Sequence, residues 1–249
     1  MPKNDPALIR LSDIALALGF LSRFPVSAAG ARGAAATWAF PLIGLILGAV
    51  VAALAWVLLS FGLSAGLTAG LVLSASIMIS GAMHEDGLAD SADGLWGGWD
   101  KARRLEIMKD SQIGTYGVVA LILSLMLRWS AISALIHTDH FYLSLILAAT
   151  LSRLPMVAMM SAMGNARDDG LSAGFGRVGK QTVSVAFAIC LAASLFMGLA
   201  GIVALLGVVL SGAIVGMIAH RKIGGQTGDI LGASQQVAEI TALIILATL

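Results

Sequence analysis

Charged residues are scarce in this chain: only 12% of its 249 residues are Asp, Glu, Lys or Arg. A soluble domain of average composition is about 25% charged, so these side chains are too few to cover a water-exposed surface of this size. The formal net charge is only +1, which argues against a nucleic-acid-binding surface. Cys190 is the single cysteine, which excludes a disulfide within the chain and is typical of a small buried thiol.

Apolar residues are correspondingly abundant, at 58% of the sequence with a mean hydropathy of +0.93. A helix needs about 20 mostly apolar residues to cross a bilayer. Residues 183–219 would form a helix of about 55 Å against a bilayer core of about 30 Å, so we expect two helices that break near residues 198–201. The other runs that predict a crossing are residues 36–63, 67–83, 113–136, 141–163 and a shorter one at 237–249.

These runs predict an all-α, polytopic integral membrane bundle of about seven transmembrane helices, in one domain that covers residues 1–249 and has the lipid bilayer as a partner. Ahead of the first span, Leu11, Ile14, Leu18 and Leu21 recur at helical spacing. This spacing predicts an N-terminal amphipathic helix instead of a cleaved signal peptide. Glycine-rich helix faces are compatible with a homo-oligomer.

Lysine and arginine residues lie on one side of the predicted topology. They precede the first span and recur within residues 84–112, 164–182 and 220–236, whereas the short turns at the other ends of the spans contain none. The positive-inside rule places all of these basic segments in the cytoplasm. We therefore expect a multi-pass protein of a bacterial or archaeal plasma (inner) membrane, with three cytoplasmic loops that form one site.

The densest polar feature is the segment HEDGLADSADG, which begins at His84. Asp86, Asp90 and Asp93 stand at i, i+4 and i+7 and would share one face of a helix. Seven of the fourteen acidic residues lie within residues 85–110, and dense carboxylates are the hard oxygen ligands that Mg²⁺ prefers. We interpret the three aspartates as catalytic metal ligands and His84 as a further ligand or proton shuttle. A solvated acidic helix start is the simpler interpretation.

The next segment, RRLEIMKDSQIGTYG, supplies cations close to the acidic one. Arg103, Arg104 and Lys109 are suited to bind a diphosphate, and we include the neighbouring Asp110 among the substrate contacts. Anchoring at the cytoplasmic face is the alternative explanation for at least one of these cations.

A third segment, GGQTGDILGA, lies on the same predicted face. Its backbone N–H groups could cradle phosphate, with Gly225, Thr227 and Asp229 as the contacts, although glycine-rich loops also serve as plain turns. Two arginines fall within spans. Arg153 is a candidate phosphate ligand or partner of an acid, and Arg128 is expected to snorkel to the outer interface.

Together these segments resemble the signature sequences of the cobalamin synthase family, the adenosylcobinamide-GDP ribazoletransferases. The segments FLSRFPV (residues 20–26) and FPLIGLILG (residues 40–48) are similar to the start of that family's sequences. The resemblance runs in order along nearly the whole chain. The family pattern more often has Leu where Glu85 stands and Arg where Gln112 stands.

The resemblance implies an enzyme of the late steps of vitamin B12 biosynthesis. A hydroxyl of α-ribazole, or of its 5′-phosphate, would attack the cobinamide-linked phosphate of adenosylcobinamide-GDP in a Mg²⁺-dependent transfer that releases GMP. The product would be adenosylcobalamin or its 5′-phosphate. The roles implied are Asp86, Asp90 and Asp93 around the metal, with one of the three, preferably Asp93, also acting as the base. Arg103, Arg104 and Lys109 would face the phosphates, and Asp229 would contact metal or substrate.

Two other classes of function remain open at this stage. A CDP-alcohol phosphotransferase also uses spaced aspartates on membrane helices, but its motif carries an Ala-Arg pair that DGLWGGWD lacks. A transporter could use Arg153 and the acidic segments, but transporters place polar groups near the midplane of repeated, broken helices. Release of GMP by purified protein would separate an enzyme from a transporter.

Overall fold

Helices make up all of the regular structure in the part of the chain that the computed structural model describes, which is residues 8–26, 32–168 and 174–249. A 3₁₀ helix covers Gly33–Ala39 and leads into the first long helix. The α-helices are α1 (Leu11–Leu21), α2 (Phe40–Ser60), α3 (Ala65–Ser80), α4 (Met83–Gly97), α5 (Lys101–Ile107), α6 (Thr115–Leu135), α7 (Phe141–Leu151), α8 (Leu154–Ala162), α9 (Lys180–Phe196), α10 (Gly198–Ile223) and α11 (Gly228–Thr248).

Within the described residues, five helical segments are long and apolar enough to cross a membrane, which confirms the all-α, polytopic fold. They are Gly33–Ser60, Thr115–Leu135, Phe141–Ala162, Gly198–Ile223 and Gly228–Thr248. A sixth crossing exists if α3 and α4, which are bent by 87° at their junction, count as one broken span. The count of seven also needs the 17-residue α9, and it stays a prediction. The predicted amphipathic helix is α1, and the predicted break in the long apolar run lies at Gly198.

The junction between α3 and α4 turns at two consecutive residues with a left-handed backbone. Gly81 (φ 69°) ends α3, and Ala82 (φ 57°) precedes α4. Glycine adopts this conformation readily, whereas at an alanine it costs about 1–2 kcal/mol. The bend directs the acidic α4 against α6 and α11. The segment predicted as a cytoplasmic loop is therefore largely helical and packed into the bundle.

The last span begins at Gly228, nine residues earlier than the sequence predicted. Its first half contains the polar side chains Gln235, Gln236 and Glu239, which lowered the apparent hydropathy of this part of the chain. All three are buried. They fit a spanning helix because they bind each other and polar groups on neighbouring helices.

Two arginines and two glutamates form an ionic network inside the bundle. The Arg128 Nη1 atom lies 3.0 Å from Glu85 Oε1 and 3.7 Å from Glu239 Oε1. The Arg153 Nη1 atom lies 3.5 Å from Glu239 Oε2. The prediction that Arg128 snorkels is wrong, because its side chain is only 1% exposed and is paired inside the bundle. Arg153 is the partner of an acid, and the structure does not place it as a phosphate ligand.

Amide and hydroxyl groups complete this network. Ser124 Oγ donates to Gln236 Oε1 (3.1 Å), and Gln236 Nε2 donates to Glu85 Oε1 (3.2 Å). Gln235 Nε2 donates to Ser152 Oγ (3.1 Å) and to Glu239. Such hydrogen bonds offset part of the cost of removing charges from water. The network joins α4, α6, α11 and the α7–α8 junction, and so fixes the start of α4.

Candidate active site

The acidic face of α4 meets the first turn of α11 at a close helix crossing. A Cβ atom on Gly87 would lie 2.8 Å from the Asp229 carbonyl oxygen and 3.2 Å from the Gly232 Cα atom, so the approach requires glycine. The crossing gathers the carboxylates of Asp86, Asp90 and Asp229, which interact electrostatically. Two segments more than a hundred residues apart in sequence thus contribute to one acidic cluster.

Asp90 shows how strongly these carboxylates interact. It lies on α4, outside the five spans, and is partly exposed. Burial, followed by repulsion from Asp86, Asp229 and Asp93, raises the pKa of Asp90 from 3.8 to about 7. A nearby cation favours the ionised form of such a group. The cluster is therefore suited to bind a cation.

The segment before α11 is held in place by the segment that follows α8. The Ala166 N–H donates to the Gln226 carbonyl (2.8 Å), and the Gln226 N–H donates to the Gly164 carbonyl (2.9 Å). A Cβ atom on Gly225 would lie 2.4 Å from the Gly164 carbonyl oxygen. Gly225, predicted to cradle phosphate, therefore allows two backbones to meet. Residues 169–173 of the predicted second loop lie outside the described residues.

Asp229 is oriented by two neighbours. Its Oδ2 atom accepts hydrogen bonds from Arg167 Nη2 and from Thr227 Oγ1, each at 3.1 Å. Thr227 also accepts a hydrogen bond from the Ile230 N–H (3.3 Å) and thereby caps α11. The predicted phosphate contact Thr227 is thus a helix cap that positions Asp229.

Two cavities meet at Asp86. The first, of about 250 Å³, is lined mainly by apolar side chains, together with His84, Asp86, Arg167 and Asp229. The second, of about 440 Å³, lies between the Asp86–Asp90 face of α4 and residues 108–113. Its lining includes Lys109 and Asp110, so the structure brings these two predicted substrate contacts to the acidic cluster.

His84 lies in the wall of the first cavity and is only 2% exposed. Its Nε2 atom has no hydrogen-bond partner among the described residues. A buried polar atom without a partner is uncommon and often marks a functional position. The location agrees with the prediction that His84 belongs to the site.

Asp93 lies two helical turns beyond Asp86 on the same face of α4, against the start of α6. Its Oδ2 atom accepts the Gly114 N–H (2.7 Å), and its Oδ1 atom accepts the Gly117 N–H (2.9 Å). A carboxylate at the N-terminus of a helix satisfies unpaired N–H groups and interacts favourably with the helix dipole. These contacts make Asp93 a cap on α6, and its roles as metal ligand and base stay predictions.

Comparison with known proteins identifies the family. The family model for cobalamin-5-phosphate synthase matches residues 13–247. The chain belongs to this family. Among its relatives, the adenosylcobinamide-GDP ribazoletransferases of Bradyrhizobium diazoefficiens and Mesorhizobium japonicum are 44% and 41% identical to it. These alignments cover 95% and 94% of this chain, and 94% and 92% of the relatives. No solved structure matches the chain.

Family membership confirms the resemblance and favours the transferase over the transporter and the CDP-alcohol phosphotransferase. The resemblance also implies Mg²⁺. In the described ranges, no three His, Cys, Asp or Glu side chains converge closely enough to hold a metal ion. Asp86, Asp90 and Asp229 nevertheless offer the hard oxygen atoms that Mg²⁺ prefers, and a substrate diphosphate and water commonly supply the remaining ligands. The donor set thus fits a magnesium ion shared with the substrate.

Two further residues of this cobalamin-5-phosphate synthase family member, Arg103 and Arg104, were also predicted to bind phosphate. Their side chains bind protein groups outside the two cavities. Arg104 donates to the carbonyl groups of Gly98 (3.0 Å), Trp99 (3.2 Å) and Lys222 (3.0 Å), where helices end. Arg103 pairs with Glu106 (2.9 Å) on the exposed side of α5 and lies over the Trp99 ring. Neither arginine lines the two cavities at Asp86. A phosphate-binding role for these two arginines stays a prediction.

Sequence analysis missed two parts of the site. Arg167 binds Asp229, and its only signal was its place in a basic segment. Phe20, Phe40 and Phe175 line the first cavity. Apolar residues are common throughout this chain, so nothing in the pattern separates a cavity-lining phenylalanine from one that faces lipid.

Proposed function

We propose that this chain transfers the adenosylcobinamide phosphate moiety from adenosylcobinamide-GDP to α-ribazole or its 5′-phosphate. The activity of the relatives, adenosylcobinamide-GDP ribazoletransferase, supports this reaction. The observation that carries it is the position of Asp86 between two cavities, one largely apolar and one that contains Lys109. With this arrangement, a nucleoside and a diphosphate can reach the shared carboxylate from separate spaces.

In the proposed reaction, a ribose hydroxyl oxygen of the acceptor attacks the cobinamide-linked phosphorus. A new P–O bond forms, the bond from this phosphorus to the bridging oxygen breaks, and GMP leaves with that oxygen. Asp86 is placed to accept the hydroxyl proton because it faces both cavities. Lys109 lies where it can offset negative charge on the phosphates. Asp229, held by Thr227 and Arg167, keeps its orientation throughout.

Asp86, Asp90 and Asp229 would hold magnesium. When bound, the ion would neutralise charge on the phosphate oxygens and favour the leaving of GMP. Burial and the neighbouring carboxylates raise the pKa of Asp90, and a bound cation would offset both effects by favouring the ionised carboxylate.

The test is substrate-dependent GMP release by the purified full-length protein, measured over a range of Mg²⁺ concentrations. Asp229→Asn is nearly isosteric and should lower turnover by about 10²-fold or more, the scale of a lost preorganised electrostatic contact. It should also raise the Mg²⁺ concentration needed for half-maximal rate. Asp139→Asn, at an exposed acid in the turn before α7, is the matched control and should retain the wild-type rate. Wild-type turnover by Asp229→Asn would contradict the proposed site.

We also infer that the site faces the cytoplasm from the inner membrane, with the N-terminus inside and the C-terminus outside. The positive-inside pattern supports this orientation. In a Cys190→Ala background, an impermeant thiol reagent added outside should label a cysteine at His137 and spare one at Lys101. Both native positions are exposed, so accessibility to solvent is matched. The reverse labelling would invert the topology.

A further inference from the structure

Three aromatic side chains line the first cavity, and the transfer chemistry does not use them. Phe20 on α1, Phe40 at the start of α2 and Phe175 converge there from three segments. The Phe20 and Phe175 ring centroids lie 4.5 Å apart, and those of Phe20 and Phe40 lie 5.9 Å apart with nearly parallel planes. The other apolar side chains that line this cavity are those of Met83, Met156, Met160 and Leu231.

Two of these phenylalanines, Phe20 and Phe40, are positioned by contacts between α1 and the 3₁₀ helix. The buried Asp13 carboxylate on α1 accepts a hydrogen bond from Trp38 Nε1 (2.8 Å) and lies 2.8 Å from Arg32 Nε. These contacts join α1 to the 3₁₀ helix that leads directly into α2, so Phe20 and Phe40 are held at a set separation. Preorganised aromatic faces favour a flat ligand, because little freedom is lost when it binds.

The same cavity also has polar lining residues. They are His84, Asp86, Arg167 and Asp229, and the buried His84 Nε2 atom has no hydrogen-bond partner among the described residues. A cavity that combines aromatic side chains with polar groups suits a nucleoside, whose base stacks and whose sugar hydroxyls form hydrogen bonds. At about 250 Å³ the cavity is too small to enclose a corrinoid as well.

Both substrates of the proposed reaction carry a base, and the lining distinguishes them. The edge of guanine presents several donors and acceptors, and burying such groups without partners costs free energy. Phenylalanine, methionine and leucine side chains offer no strong partners for them. The 5,6-dimethylbenzimidazole of ribazole has methyl groups at its far edge, and these suit an apolar wall.

We propose that the cavity between Phe20, Phe40 and Phe175 is the binding site for the dimethylbenzimidazole base of the acceptor, and that it sets acceptor specificity. This proposal rests on the proposed function. The acceptor ribose then lies against His84, with a hydroxyl at Asp86. The diphosphate enters through the second cavity, beside Lys109. The two substrates therefore approach Asp86 from separate sides.

The test is steady-state kinetics of GMP release by the full-length protein, with each substrate varied in turn. Phe175→Leu and Phe20→Leu should raise the KM for α-ribazole by about tenfold, within the range reported for losing one aromatic stacking partner. The donor KM and kcat should stay within about twofold of wild type. Phe175→Tyr keeps the ring and should restore most of the acceptor affinity. Phe187→Leu, at a partly exposed ring in a different groove, is the matched control.

A second measurement keeps the test valid if the leucine variants fold poorly. With wild-type protein, an acceptor nucleoside of unsubstituted benzimidazole should have a higher KM, by about fourfold for each missing methyl group. A purine nucleoside should be a much poorer acceptor. Equal KM values for these acceptors would overturn the proposal.

The remaining outcomes also decide the question. Leucine variants that raise the donor KM and leave the acceptor KM unchanged would assign the cavity to guanine and overturn the proposal. Unchanged KM values for both substrates in an active protein would remove the base site and leave the proposed function standing. A wild-type protein that releases no GMP with either acceptor would contradict the proposed function itself.

Discussion

Replacing Arg128 by Met removes one cation from the buried network and keeps a straight apolar side chain of similar width. The Arg128 Nη1 atom lies 3.0 Å from Glu85 and 3.7 Å from Glu239, so two carboxylates lose a partner at once. Glu239 retains Arg153 at 3.5 Å, whereas among the described residues Glu85 retains the Gln236 amide as a hydrogen-bond donor and no ion pair within 4 Å. The main cost therefore falls on Glu85.

The magnitude follows from burial. Breaking a buried ion pair by removing one partner costs about 3–5 kcal/mol, because the remaining charge stays out of water. The pair between Arg103 and Glu106 has nearly the same length, 2.9 Å, but its side chains are 43% and 69% exposed. Solvent screening limits such a surface pair to about 1 kcal/mol or less. Arg103→Met is therefore the control, because it removes an arginine from an ion pair of nearly the same length that is exposed to solvent.

The assay is reversible unfolding in detergent micelles, with the free energy of unfolding measured for wild type, Arg128→Met, Glu85→Gln and the double variant. The double variant should be more stable than the sum of the single losses predicts, since no lone carboxylate remains at position 85. Additive losses, or equal losses for Arg128→Met and Arg103→Met, would refute the buried pairing.

Two further predictions concern the contacts of α4. Asp93→Ala should lower the free energy of unfolding by about 1–2 kcal/mol, because α6 loses its cap. The Mg²⁺ concentration for half-maximal rate should not change. A higher Mg²⁺ requirement at unchanged stability would instead support the metal-ligand role of Asp93. Gly87→Ala adds a Cβ atom against the Asp229 backbone, so α4 and α11 must separate and turnover should fall by about tenfold to a hundredfold. Gly164→Ala, at an exposed glycine where a Cβ atom meets nothing within 4 Å, is the control. Equal rates of GMP release for the two alanine variants would show that the close crossing does not matter.

Sequence alone determined the features that depend on composition and local spacing. Too few charges to cover a soluble surface, together with long apolar runs, establish a polytopic helical membrane protein. The spacing of Asp86 and Asp90 places both on one helix face, and the structure keeps them together because that relation is local. The positive-inside pattern indicated a common side for the acidic segment and Asp229, which do line one cavity.

Only the tertiary structure decided which polar residues face the site, because that depends on which helix covers each face. Asp93 lies on the same face of α4 as Asp86. The start of α6 covers that end of α4, and its backbone N–H groups donate hydrogen bonds to the Asp93 carboxylate. From the sequence, Arg128 could equally have extended to the outer membrane interface. Its partner Glu239 lies on α11, 111 positions further along the chain. Phe20, Phe40 and Phe175 show no pattern that separates a cavity wall from a lipid-facing surface. Apolar residues serve both surfaces equally well, and only packing determines which of the two each ring meets.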